Sequence, residues 1–529
     1  MCPLRELCPQ ASSRAGAPLP FLSATTGGGA PMLVVLGAAM IAVFMYLILS
    51  KRLAPILALV LVPLTFALVT VGTGLAQAPD DGGVVDSIMS AVKDFAPTAV
   101  LLFFAITFFG TMIDVGLFDP LIRFVLRAVR NDPVRLVVLT AVLAGVVSLD
   151  GDGSTTFIIT VSALLPIYRR LGMNPVVLAV VANLANGVMN IVPWGGPTVR
   201  AATVLNVSPS ELFNPMVPGM VLATLTVLVL AWFLGRSERA RLASSGRSLQ
   251  AVAAEMTTVR EPALAGVGGG SFPAPRTPFP GSAGSGPGSG SGSGSTDGPD
   301  STDGPDSTDG PDAGDLLDPN RPTLRPKLIW FNLALTVTLL VLLGMDVLPL
   351  ALVFVVATAI ALVVNFPKPE DQMKAVTSHA TSIVSVVAMV FAAAVLVGVL
   401  SGTGMVTAMA NAIVAAVPPS IGSWFAVITG VLSMPLTFFL TNDAFYFGIL
   451  PILTEAAGHY GITPVEMARA SIVGQPVHMT SPLVPALLLL VSLAKVDLAD
   501  HHRKVIWRAA VCSMVMLATA LVLGVVPLG

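Results

Sequence analysis

SLDGDGSTTF (residues 148–157) and NPVVLAVVANLANGVMNIVPWGGPTVR (174–200) are the two segments on which the fold of this chain turns. The first sets Asp150 and Asp152 among glycines and hydroxyls inside an otherwise apolar region. The second is an apolar helix broken at Pro193, Trp194, Gly195, Gly196, Pro197 and Thr198. An intramembrane Asp costs roughly 2.5–3.5 kcal/mol on insertion scales. Non-helical backbone at membrane depth survives only where protein buries it or where it lines a wet cavity. Together the two features point to a binding site for a polar solute.

The rest of the chain is built to surround such a site with lipid-facing helices. Of 529 residues, 54% are hydrophobic and only 11% charged, and the mean hydropathy is +0.84, which excludes a soluble enzyme. A net charge of −2 offers nothing to a nucleic acid. Cys2, Cys8 and Cys512 form no metal spacing or disulfide framework, and no CxxC or HExxH pattern occurs among the residues.

Apolar runs of spanning length lie near 32–49, 53–75 and 97–118. Pro120–Asn131 is short and carries Arg123, Arg127 and Arg130 at helical spacing, so it is expected in the interface. Two short arms, 133–148 and 155–168, flank the Asp150–Thr156 tip and read as a re-entrant hairpin. The interrupted helix 174–204 and a span at 214–235 follow. Residues 237–326, with three consecutive STDGPD copies at 295–312, read as a disordered linker. Residues 1–31 read as a disordered tail or a start-site artefact preceding Met32.

The pattern then recurs. Spans near 328–345, 347–366 and 382–404 precede a short helix at 405–416. Arms at 421–434 and 444–457 flank a second tip, Thr437–Asp443, and helix 464–494 is interrupted between Gly474 and Pro482. A final span covers 505–527. Gly116 and Gly404 lie 288 residues apart, Pro175 and Pro464 289, and Pro193 and Pro482 289, so residues 32–236 and 327–529 read as two repeats. Lys and Arg gather on one side if the arms are hairpins. Each repeat then has about five crossings, an odd number, so the repeats are inverted, the linker is cytoplasmic and both termini face out. The expected fold is an all-α polytopic protein of the cell membrane, each repeat carrying a re-entrant hairpin and one interrupted helix. Inverted repeats with broken helices are the sequence pointer to a secondary transporter with a midplane site.

Around that site, the carboxylates Asp150 and Asp152, and Asn442 and Asp443 at the second tip, suit a hard divalent cation or a proton. Asn442 and Asp443 also suit helix capping. DGDGS lacks the closing Glu of an EF-hand loop, which excludes that motif. Ser154, Thr155, Thr156 and Thr441 add hydroxyls beside the carboxylates. The break 193–198 offers a fresh helix N-terminus to an anion. The second break offers Gln475, His478, Thr480 and Ser481; a buried core role for His478 stands beside the site role. Asn183, Asn186 and Asn190 are expected to bond between helices. Arg200 is expected to snorkel rather than to bind a carboxylate. Arg469 is expected to pair with Glu466, and Asp114 and Asp119 to lie at the interface or to cap.

Several segments resemble the citrate–divalent metal:proton symporter family (CitMHS type) of the ion transporter superfamily. They are residues 32–63, GTMIDVGLFDPLI (110–122), LDGDGSTTF (149–157), LGMNPVVLA (171–179), MNIVPWGGPTVRAA (189–202), LTNDAFYFGILPI (440–452) and GQPVHMTSPLVPALLLLV (474–491). The resemblance implies import of citrate as a complex with a divalent cation of the Mg²⁺ or Ca²⁺ class, together with protons. It also implies a homodimer working by elevator-type alternating access. Carried over, Asp150, Asp152, Asn442 and Asp443 would be metal or proton groups, and the two breaks would cradle the substrate. Another small-anion carrier or a Na⁺/H⁺ antiporter of the same architecture is the alternative. More remotely, Asp152 and Asp443 could imitate the dyad of a membrane-embedded aspartyl hydrolase.

Overall fold

The computed structural model describes residues 30–50, 52–75, 83–130, 132–244, 321–345 and 347–528. The expectation for residues 1–31 lies outside them almost entirely, as does that for residues 245–320 of the linker. The ends of the expected 237–326 linker are not disordered: residues 237–244 continue the helix that begins at Val217, and residues 321–326 are ordered by hydrogen bonds of Arg321 and Arg325. The described residues form helices and no strand.

In the first half the helices are α1 (Ala30–Leu49), α2 (Pro55–Gly72), α3 (Val84–Asp114), α4 (Asp119–Ala128), α5 (Pro133–Val147), α6 (Gly153–Arg170), α7 (Pro175–Met189), α8 (Gly196–Val204) and α9 (Val217–Ser244). The second half holds α10 (Ile329–Met345), α11 (Leu350–Asn365), α12 (Pro369–Thr377), α13 (Ala380–Gly402), α14 (Met405–Ala416), α15 (Phe425–Phe439), α16 (Leu450–Gly458), α17 (Pro464–Ile472), α18 (Pro485–Ala494) and α19 (Leu498–Val522). The order repeats: early apolar helices, a short helix, two arms around a tip, a broken helix, a closing helix. Eight helical segments among the described residues are long and apolar enough to cross a membrane, one of them only when α5 is counted together with the turn that follows it, as Pro133–Asp150.

Local chemistry sets the boundaries. Pro133, Pro175 and Pro464 open α5, α7 and α17, where a missing N–H costs nothing. Asp132 and Asn174 cap α5 and α7 with side-chain oxygens. Thr463 and Glu466 form a capping box on α17. At about 1.5 Å per residue, α5 is about 22 Å long, short of a hydrocarbon core of about 30 Å. Its continuation through Ser148–Asp150 is a 3₁₀ turn that stops at Gly151, where φ is +81°. Only glycine takes that turn without strain.

The helices sort into two groups. The long α3 and α13 pack on each other, with α2 on α13 and α11 on α3. The tips and breaks belong to the other group, in which α5 packs on α7 and α9, α6 on α7 and α18, and α19 on α7 and α9. Lipid is as apolar as a leucine, so packing and polar contacts, rather than expulsion from water, hold such helices together.

Polar fastenings lie at the helix ends. Buried Glu238 accepts the backbone N–H of Asn174 at 3.1 Å and pairs with Arg241 at 2.7 Å. Arg239 and Arg135 both reach Asp132. Burial raises the Asp132 carboxyl pKa, but the Arg239 bond, the Val134 N–H and the two positive charges outweigh it and leave it below the usual value. Arg321 grips Asp119 at 3.1 Å and the Asp114 carbonyl, and Arg325 bonds the Asn365 carbonyl, so the chain entering the second half is tied to α3 and α11. Asp114 pairs with His379 at 3.0 Å. Asp119 is therefore an ion-pair partner of Arg321 and Asp114 a hydrogen-bond partner of His379, and neither side chain caps a helix. Arg469 also departs from expectation. Glu466 is committed to its capping box, and Arg469 donates to the carbonyl of Glu211 at 2.8 Å.

Candidate functional site

Each tip lies against the break of its own half. At the first tip Asp152 caps α6: its oxygens accept the N–H groups of Ser154 (3.2 Å) and Thr155 (3.0 Å) and the Thr155 hydroxyl (2.8 Å). Asp150 accepts the Asp152 N–H at 2.9 Å and caps no helix, which leaves it the less committed carboxylate. Thr156 is buried. Its hydroxyl donates to the Asp152 carbonyl at 3.0 Å and lies 3.1 Å from the Ser148 hydroxyl, which accepts the Asn186 amide at 3.0 Å. The Trp194 indole N–H donates to the Leu149 carbonyl at 2.8 Å, clipping the tip to the break. Trp194 in turn stacks on Phe109 and meets Phe354 edge-on, with centroids 5.3 and 5.4 Å away. Gly195 has room for no side chain beside the Asn190 carbonyl, and Pro197 follows Gly196 in the first turn of α8. The break is closed by the Thr198 hydroxyl, which returns to the Ile191 carbonyl across Pro193.

The second tip uses amides where the first uses hydroxyls. Asn442 and Gln475 exchange hydrogen bonds at 3.3 and 3.2 Å, and Gln475 also donates to the Tyr446 hydroxyl at 2.9 Å. Tyr446 lies in a π-helical turn, Ala444–Ile449, that leads into α16. Asp443 precedes that turn without capping it, whereas the Thr441 hydroxyl accepts the Ala444 N–H at 3.3 Å. Buried His478 bonds the Thr437 carbonyl through Nδ1 at 2.6 Å. A carbonyl only accepts, so the proton is on Nδ1. The hydroxyls of Thr480 and Ser481 donate to the Val477 and Phe438 carbonyls, and His502 reaches the Thr480 carbonyl at 2.8 Å.

The halves also reach into one another. A methyl on Gly187 in the first broken helix would lie 2.9 Å from Pro476 Cα in the second, so glycine allows the two to touch. One on Gly153 would lie 3.1 Å from Met479 Cε and 3.2 Å from Asn186 Oδ1. Asn190 meets Met479 sulfur at 3.6 Å. Arg200 of α8 pairs with Asp443 of the second tip at 2.7 Å. That pair overturns the snorkelling expectation for Arg200, because a largely buried carboxylate of the other half is within reach. It also removes the dyad imagined for Asp152 and Asp443: one caps a helix, the other holds an arginine.

Asn186 and Asn190 bond across elements as expected. The Asn183 amide, 1% exposed, has no protein partner among the described residues. Among those residues no three His, Cys, Asp or Glu converge on a metal position. Sequence reasoning passed over Tyr446 and the Ser148 hydroxyl. Tyr446 lies one helical turn from Asn442, and that spacing was the available signal.

Broken helices, polar tips and an ion pair between the halves, all inside a lipid-facing shell, define a multi-pass membrane transporter rather than an enzyme. Residues 44–474 match the citrate transporter family CitMHS, and the chain belongs to that family. It is 43% identical to a Bacillus subtilis (strain 168) citrate transporter over 94% of this chain and 100% of that one. A Mg²⁺/citrate complex secondary transporter of the same organism is 40% identical over 94% of this chain and 99% of its own length. The crystal structure of the Alcanivorax borkumensis YdaH transporter shares the fold, with a TM-score of 0.51 at 14% identity over 94% of this chain and 98% of that chain.

Proposed function

We propose that this protein imports citrate complexed with a divalent metal ion, in symport with protons. The observation that carries the reading is the meeting of four elements: both tips and both breaks converge, and Arg200 and Asp443 face one another there. The family membership and the Mg²⁺/citrate relative support it. Citrate(3−) with a divalent ion carries net −1, which reduces the charge to be stripped of water. Citrate itself supplies many of the oxygens around the metal. Asp150 and Asp443 add carboxylate, Asn442 and Gln475 add amide groups, and α8 directs its N-terminus at residual negative charge. Asp152 holds the α6 N-terminus in place so that Ser154, Thr155 and Thr156 keep their positions.

The two halves act as inverted repeats in a homodimer of the cell membrane, with the 237–326 linker cytoplasmic and both termini outside. The grouping of helices supports an elevator motion. The tip- and break-bearing helices move as one body along α2, α3, α11 and α13.

The test is uptake of labelled citrate into proteoliposomes across a panel of divalent metals, with and without an imposed proton gradient. Uptake should need a metal and rise with inward proton force. Uptake indifferent to both sinks the mechanism.

A further inference from the structure

Asp443 and Arg200 stand 243 residues apart in sequence and come from different halves, yet they form the ion pair at the junction of tip and break. The Arg200 side chain is 22% exposed and that of Asp443 13%. The contact is one-sided: Nε donates to Asp443 Oδ1, and the Nη edge of the guanidinium lies over the start of α8, 2.7 Å from where a Gly196 methyl would be. Asp443 caps nothing.

We propose that this pair is a charge-matched receptor for the metal–citrate complex and the reason the complex is preferred to either component. The proposal rests on the citrate reading and deepens it. Arg200 presents a planar fork to a citrate carboxylate, and Asp443 supplies an oxygen to the metal. Closed, the pair is neutral. The complex carries carboxylate and cation side by side, so it exchanges one ion pair for two and leaves neither Arg200 nor Asp443 without a partner; its net charge of −1 stays on the citrate, facing the N-terminus of α8. Free citrate would engage Arg200 and leave Asp443 facing the remaining carboxylates. Free metal would engage Asp443 and leave Arg200 facing a cation. An uncompensated charge at a largely buried position is strongly disfavoured. With the partial exposure of both groups, the preference for the complex should be on the order of 10–100-fold.

The test is binding to the full-length protein in nanodiscs, by titration calorimetry, with three probes: magnesium citrate, citrate with chelator, and magnesium chloride. Wild type should bind magnesium citrate at least about tenfold more tightly than citrate alone. Asp443→Asn frees Arg200 for metal-free citrate and should narrow that ratio about tenfold or more. Arg200→Gln should weaken citrate binding with and without metal. If the single variants do not fold, the double variant Arg200→Gln/Asp443→Asn leaves no charge unpaired, and its ratio should fall close to one. A pair that merely braced the fold would leave the ratio untouched, so an unchanged ratio in Asp443→Asn or in the double variant overturns the receptor while the citrate reading stands. A wild type that binds none of the three probes overturns the citrate reading and the receptor together.

Discussion

Trp194→Phe should loosen the first tip without unfolding the protein. The indole N–H donates to the Leu149 carbonyl at 2.8 Å, and phenylalanine deletes that bond while keeping a ring against Phe109 and Phe354. A neutral hydrogen bond contributes about 0.5–1.5 kcal/mol net. About 1 kcal/mol is a factor of about five in a local opening equilibrium. Trp194→Ala removes the rings' contacts as well. Trp194 is 6% exposed, so it leaves a cavity, and losses of about 3–5 kcal/mol apply. Lipid diminishes the transfer part of that range, which favours its lower end. Amide hydrogen exchange over residues 148–153 reads both effects. The Phe variant should exchange about fivefold faster there and unchanged in α3. The Ala variant should exchange faster still and melt earlier in detergent. If Trp194→Phe exchanges like wild type at the tip, the indole clip does not hold it. If Trp194→Ala matches Trp194→Phe, the ring stack contributes nothing.

Gly187→Val should abolish uptake while leaving membrane insertion intact, because its side chain meets Pro476 backbone and pushes the broken helices apart; normal uptake with normal surface expression refutes the contact. Tyr446→Phe removes one of the two acceptors of the Gln475 amide and should weaken magnesium citrate binding about fivefold, read by calorimetry. Unchanged affinity would mean that Asn442 alone orients Gln475. At Asp132 the carboxyl pKa is depressed in the folded protein, so its stabilisation is full above the unfolded value near 4 and disappears as pH falls through the lower folded value. Wild type and Asp132→Asn should therefore differ in unfolding midpoint at pH 6 and converge at the acid end; a constant gap refutes the ion-pair account.

Helix content and the repeated element order were legible because hydropathy and proline spacing are local properties. So were the tips and breaks, since polar residues at membrane depth stand out against apolar neighbours. Pairings were not legible. Glu466 is one turn from Arg469, so sequence distance favours that pair, but a capping box claimed the carboxylate first. Arg200 looked close to a surface because its partner lies in the other half. Asp150 and Asp152 look alike in DGDGS, and only backbone geometry assigns one to capping. Trp194 read as part of a break, and its anchoring needed Phe109 and Phe354, which no local pattern connects to it.

The separation of Arg200 from Asp443 has a consequence for biogenesis. The arginine leaves the ribosome 243 residues before its carboxylate. At about 5–20 residues per second, it waits about 12–50 s without its partner. During that interval the first half holds a cation in the middle of α8 whose counter-charge has not been made. A longer linker lengthens the wait. Co-expressing the halves as separate chains would remove the delay and let the ion pair form at a rate set by encounter in the bilayer.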